Sequence, residues 1–184
     1  MTTVTDALFL QPTIRGSSIS IRPLVESDFD GLYACASDKN IWSAHPSPNR
    51  YKLSEFKPYF SSAIDSKASV VVTDNSCEKI IGLSRYYFSD SGKLNFSIGF
   101  TFLATEYWGG KTNFELKKIM LEHAFQHFDT VWFHINRANI RSQKATLKIG
   151  ASFTHEETLH ISGKAELWRC YKIEKHQWYL RDQD

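Results

Sequence analysis

A chain of 184 residues fits one domain of ordinary size, long enough to bury a core without disulfides or metal. Hydrophobic residues make up 42% and charged residues 23%, which excludes a disordered chain. With 22 Lys plus Arg against 20 Asp plus Glu, the formal charge is +2, so a strongly basic nucleic-acid binder is not indicated. The cysteines, Cys35, Cys77 and Cys170, lie far apart with no Cys-x-x-Cys pair. Neither a disulfide framework nor a cysteine-based zinc site is expected, and a reducing cytosol is the simplest setting. The first sixteen residues lack a basic n-region, so no secretory signal is read there. No run approaches the ~20 apolar residues of a membrane span. The expectation is a cytoplasmic protein with no membrane or direct nucleic-acid partner.

Residues 1–17 read as a tail or edge cover, ahead of one domain over 18–184. The run 18–22 alternates with period two and stops at Pro23, the pattern of a half-buried strand. Ser27 and Asp28 offer an N-cap to a short helix carrying Phe29, Leu32, Tyr33 and Ala36 at helical spacing. The prolines Pro46 and Pro48 break the pattern before a second helical stretch opened by Ser54. Strands follow at 68–73, 79–88 and 93–103, with turns at 74–76 and 90–92, an antiparallel meander. The best helix runs from 113 to about 128, with Leu116, Met120, Ala124 and Phe128 on one face. Then come a strand at 130–135, a helix at 140–149 closed by Gly150, and strands near 152–158 and 166–173 about the turn 162–164. This order predicts an α/β (α+β) fold: a mixed, mostly antiparallel sheet of six to seven strands flanked by about four helices.

The most informative stretch is 98–118, IGFTFLATEYWGGKTNFELKK. A strand ends near Leu103, and a loop with Gly109 and Gly110 opens the long helix. Paired glycines let the backbone turn tightly, and a helix start adds unpaired N–H donors and about half a positive charge. Together they make an anion site suited to phosphate. Thr112 and Glu115 read as a capping box. Gly110-Lys111-Thr112 also matches the end of a nucleotide-binding P-loop. However, the first glycine of that motif would fall on Thr105, and the strand TVWFHIN ends without an Asp for magnesium. A P-loop NTPase and a plain helix-initiating turn remain alternatives at this point.

The segment 98–150 resembles the GCN5-related N-acetyltransferase (GNAT) family, especially its ribosomal-protein-alanine acetyltransferase-like branch. The resemblance rests on Ile98-Gly99-Phe100-Thr101-Phe102-Leu103 followed by Tyr107-Trp108-Gly109-Gly110. It rests also on the later set Asn139, Arg141, Ser142, Ala145, Lys148, Ile149 and Gly150. It extends to the opening strand SISIRPL and to Tyr171, Ile173 and Trp178, covering roughly 12–178. The resemblance implies direct transfer of an acetyl group from acetyl-CoA to a primary amine, either a protein N-terminus or a small molecule, without a metal. It implies that the backbone of Trp108, Gly109, Gly110, Lys111, Thr112 and Asn113 holds the coenzyme's pyrophosphate. Thr101, Phe102 and Leu103 would then pair with the pantetheine arm, with an N–H near Leu103 as oxyanion donor. Asn139 and Ser142 fall where the family contacts the arm and the sulfur, which makes the Ser142 hydroxyl the candidate donor to the leaving thiolate. The competing reading of Ser142 is a helix cap. Where many members carry a Glu before the Ile-Gly, this chain has Ser97; where others carry a Tyr acid, it has Thr146. Those two departures motivate a second alternative, a non-catalytic coenzyme- or peptide-binding domain.

No base stands out. His134 titrates in a useful range but reads more readily as a packed histidine, and Glu106 as a solvated loop residue. His123 and His127, four apart on the long helix, have no third metal ligand and read as boundary residues. Of Tyr86, Tyr87 and Phe88, one ring is a candidate to line an acceptor pocket. Arg141, Lys144 and Lys148 read as a solvated helix face or as attraction for phosphates. The acceptor's identity and the oligomeric state carry no sequence signal.

Overall fold

A computed structural model describes residues 7–89, 95–161 and 163–180. Its strands are β1 (Ile14–Arg15), β2 (Ile19–Pro23), β3 (Ser69–Asp74), β4 (Ile80–Ser89), β5 (Asn95–Leu103), β6 (Thr130–Asn136), β7 (Ser152–Leu159) and β8 (Glu166–Glu174). They form one sheet in the order β1-β2-β3-β4-β5-β6-β8-β7. Every neighbouring pair is antiparallel except β5 with β6. The sheet thus has one strand more than the six to seven expected. The extra strand is β1, whose two residues are too few to show a period; it lies within the stretch read as a tail or edge cover and pairs with β2.

Four helices of eight or more residues flank the sheet: α2 (Phe29–Ala36), α4 (Leu53–Asp65), α5 (Thr112–Ala124) and α6 (Ile140–Lys148). The short α1 (Ala7–Leu10), α3 (Lys39–Trp42) and α7 (Lys175–Leu180) complete the set. The expected turn at 90–92 and the first residue of the turn at 162–164 lie outside the described residues.

Alternation along the strands divides the core into two layers. Val70 and Val72 join Tyr86, Ile98, Phe133 and Tyr171 beneath Leu116, Met120 and Ala124 of α5. Val71, one residue out of phase, points to the other face, where α2, α3 and α4 supply Leu32, Trp42, Phe56 and Tyr59. Over β6 and β8 that second face carries only a small cluster of Leu159, Trp168 and Cys170 with Trp132 and Ile161 beside it.

Two expected caps are spent elsewhere. The Asp28 carboxylate makes a fork with Arg22 (2.7 and 2.8 Å) and accepts the Val25 amide (3.0 Å) rather than capping α2. A two-bond fork between opposite charges outweighs a single bond from the carboxylate to a helix amide. The Thr112–Glu115 capping box does not form either: Lys111 is the N-cap of α5, and Glu115 accepts from Ser17, Ser18 and the Ile19 amide, which ties the start of β2 to α5.

Candidate active site

The parallel partners β5 and β6 register at one pair, Ser97 opposite Trp132. Beyond it they part, and a groove of about 570 Å³ opens between 98–103 of β5 and 133–136 of β6. A bulge causes the parting. Pairing between β4 and β5 shifts register between Leu83 and Arg85, and Phe100 sits at φ +53°, a left-handed conformation that a bulky side chain adopts only under constraint. That constraint is visible: the Arg85 guanidinium lies 4.3 Å over the Phe100 ring, and the Tyr59 hydroxyl donates to the Phe100 carbonyl (3.3 Å).

Past the bulge, the Ala104 amide bonds the Ile81 carbonyl (2.8 Å), so the next pair, Gly82 with Leu103, is a non-hydrogen-bonded one. The Leu103 N–H and C=O therefore face away from β4, toward the groove. The Trp108 indole N–H already caps that carbonyl (2.9 Å).

The loop after β5 is anchored side chain by side chain. Thr105 donates to Asp38 (2.8 Å), Glu106 pairs with Lys79 (3.0 Å), and the Tyr107 hydroxyl donates to Asp74 (2.7 Å). The Arg141 guanidinium stacks 3.9 Å over the Trp108 ring and donates to the Ile41 carbonyl (2.7 Å), a bridge joining the loop, α6 and α3. The Trp108 amide donates to Thr105 (3.1 Å). The amides of Gly109, Gly110, Lys111, Thr112 and Asn113 have no hydrogen-bond acceptor among the described residues. Gly109 sits at φ +74°, and a Cβ on either glycine would meet nothing within 4 Å. Five N–H groups without an acceptor among the described residues thus follow one another into a helix N-terminus, an arrangement that favours an anion.

Asn139 caps α6, its side chain accepting the Ser142 amide (3.1 Å). Ser142 is therefore not the cap. It lines the groove, and its hydroxyl has no partner among the described residues. Arg141, Lys144 and Lys148 line the groove too. Ser97 and Thr146 are buried.

On the floor, the Tyr87 ring crosses β5 to reach β6, its hydroxyl 2.8 Å from His134 Nδ1. It can do so because position 99 is glycine: a Cβ there would come within 2.8 Å of the Tyr87 ring. His134 is buried, and burial, helped by His155, lowers its pKa to about 4. From the opposite face Lys117 of α5 reaches the splay and donates to Thr101 Oγ1 (2.6 Å), which also bonds Ser84 (2.7 Å). Burial pushes the Lys117 amine down to about 7. Lys117, Arg50, His45, Tyr59 and Trp42 line the groove without having been singled out from the sequence. Lys117 had a readable signal, lying three residues before Met120 and four before Leu121 on the apolar side of α5. The others had none, since the tertiary fold alone brings 41–50 and Tyr59 of α4 against β5.

The helix α5 ends at Ala124, short of the 128 expected, so His127 lies beyond it rather than one turn along the same face; the His123 ring stacks on Phe9 (4.7 Å) with Nε2 2.8 Å from the Phe9 carbonyl, and His127 meets the same ring edge-on. His155, Glu157 and Cys170 bring donor atoms within 4.8 Å of one another, and none of them lines the groove. No helix among the described residues is long and apolar enough to cross a membrane.

A mixed sheet splayed at one parallel pair, with a glycine loop of unpartnered amides at the head of the splay, is the architecture of the coenzyme-dependent acyltransferase class. A family model described as acetyltransferase (GNAT) domain matches residues 18–152, and the chain belongs to that family of acetyl-CoA-dependent N-acetyltransferases. No protein of curated function matches the sequence. Among solved structures, a GCN5-related N-acetyltransferase from Brucella melitensis is similar over 94% of this chain and 83% of its own, with TM-score 0.79 and 17% identity. A spermidine N-acetyltransferase from Vibrio cholerae, in complex with CoA and spermine, matches with TM-score 0.64 and 17% identity over 89% of this chain and 99% of its own. A candidate ribosomal-protein-serine acetyltransferase, also from Vibrio cholerae, matches with TM-score 0.71 and 11% identity over 89% and 97%.

Proposed function

We propose that the chain transfers an acetyl group from acetyl-CoA directly to a primary amine, with both substrates bound at once. The observation that carries this reading is the row of unpartnered amides at 109–113, at the head of a groove leading between β5 and β6. The pyrophosphate sits on those amides. The pantetheine arm runs along Thr101, Phe102 and Leu103, displacing the Trp108 indole from the Leu103 carbonyl, with Asn139 on its other side. The amine nitrogen bonds the acetyl carbon, and negative charge builds on the carbonyl oxygen, where the Leu103 N–H stabilises it. The C–S bond then breaks. The thiolate leaves stabilised by a hydrogen bond donated by the Ser142 hydroxyl and takes a proton from solvent, to which the amine releases its own.

No Asp or Glu lines the groove among the described residues, His134 is a weak base once its pKa falls to about 4, and Lys117, the buried amine in the lining, is engaged with Thr101 Oγ1. The amine therefore enters neutral, and alignment of the two substrates supplies most of the acceleration.

Acetyl-CoA should raise the melting temperature, and ATP with magnesium should not. A shift with ATP alone would overturn this reading in favour of an NTPase. A shift with acetyl-CoA but no free thiol released across a broad amine panel would favour a binding domain, the reading that Ser97 and Thr146 suggest. Ser142→Ala should lower kcat roughly 10- to 100-fold, below the usual range of general-acid effects because a thiolate with a pKa near ~8.5 needs modest help. The KM for acetyl-CoA should change little. An unchanged kcat removes Ser142 from the chemistry.

A further inference from the structure

The far end of the groove, away from the loop, is walled by Trp42, Tyr59, Tyr87 and Phe100 and carries the side chains of His45 and Arg50. The Arg50 guanidinium stacks 4.3 Å over Tyr59 and 5.6 Å from the Trp42 centroid. No carboxylate among the described residues pairs with it. Its nearest polar neighbour is His45, with Nη1 3.3 Å from Nε2. That contact cannot be an ordinary hydrogen bond. His45 Nδ1 accepts the Ser47 amide (2.9 Å), so the proton of a neutral ring is on Nε2. The ring is neutral, because burial first, then Arg50 and Arg141, push its pKa down to about 3. Two N–H donors, one of them charged, therefore converge in a partly desolvated pocket with no acceptor between them. One carboxylate oxygen would satisfy both.

Deepening the acetyl-transfer reading, on which this rests, we propose that the acceptor is an amino carboxylate with an apolar body, its carboxylate held between Arg50 and His45. The aromatic walls take the apolar part, and the carboxylate fixes the amine relative to the thioester. The same charges argue against a polyamine. A cationic chain needs acidic side chains, and the groove offers none among its described lining, whereas Arg50, Arg141, Lys144 and Lys148 all face it. Neighbouring cations also favour the neutral form of the acceptor amine, which is the form that attacks.

The test is acetyl transfer to apolar α-amino acids, each paired with its carboxamide, with spermidine alongside, in wild type and in Arg50→Met. Wild type should prefer the carboxylate over the amide roughly 30- to 100-fold in kcat/KM, the effect of one charge-assisted bond pair, and should neglect spermidine. Arg50→Met should bring the ratio toward one, and Arg50→Lys, which keeps the charge without the fork, should fall between. Equal or better use of amides or spermidine by wild type overturns the inference, as does a preference that survives in Arg50→Met. So does a failure of every amino acid in the panel while acetyl-CoA still shifts the melting temperature. If acetyl-CoA gives no shift, the acetyl-transfer reading itself falls, which separates the two failures.

Discussion

Gly110→Asp should weaken acetyl-CoA binding roughly 100-fold and leave the fold intact. The position isolates electrostatics from sterics. A Cβ on Gly110 meets nothing within 4 Å, and its backbone, unlike that of Gly109, is outside the left-handed region. A carboxylate there stands beside the free amides meant for a pyrophosphate. Like charges about 5 Å apart at an effective dielectric of about 20–40 repel by about 2–3 kcal/mol, close to two decades in affinity. The loop is exposed, so added salt should recover part of the loss. Titration calorimetry at two ionic strengths, with the unliganded melting temperature as control, measures both effects. Gly110→Ala, equally free of contacts, should bind nearly as well as wild type. An unchanged dissociation constant for the Asp variant would remove this loop from the coenzyme site. Gly109 would be a poorer probe, since a side chain at φ +74° adds about 1–2 kcal/mol of backbone strain and tilts the amides themselves.

The elements legible in the sequence are those with a period. β2, α4, α5 and the strand-turn-strand meander declare themselves by alternation or by a 3.6-residue apolar stripe, and Gly150 ends α6 at φ +91°. Segments of two to four residues, such as β1 and α3, are too short for a period to develop, and long-range partners hold them. The caps at Asp28 and Thr112 fail for a related reason. A local motif competes with tertiary partners invisible in the local sequence, Arg22 in one case and Ser17 and Ser18 in the other. The site divides the same way. The glycine loop, Asn139 and Ser142 lie at strand and helix ends, where sequence marks the chemistry. Arg50 and His45 sit in a proline-broken loop whose distance from β5 depends on how α3 and α4 pack. The Tyr87–His134 contact depends on a missing Cβ at Gly99, a relation across three strands that no single window contains.

Lys117→Met should raise the melting temperature at pH 7 by several degrees, and the gain should shrink as pH rises. Lys117 is 6% exposed, has no carboxylate partner among the described residues, and bonds only the neutral Thr101 hydroxyl. Burial lowers its pKa from 10.5 to about 7. The sign follows from proton counting. Between pH 7 and 10.5 the unfolded chain carries a proton on this amine that the folded chain has largely released, so stability rises with pH across that window and the folding penalty is greatest at and below pH 7. A depression of this size corresponds to at most about 5 kcal/mol at neutral pH, of which about 3 kcal/mol is regained by pH 9. Methionine fills similar volume with no group to desolvate, and Thr101 keeps its bond to Ser84. Even about 2 kcal/mol of relief in a chain this long shifts the melting temperature by roughly 4–8 °C. Melting both proteins at pH 7 and pH 9 separates the contributions, because other titrating groups cancel in the difference. A gap that does not narrow with pH would mean that Lys117 is charged in the folded state and paired with a group still to be located.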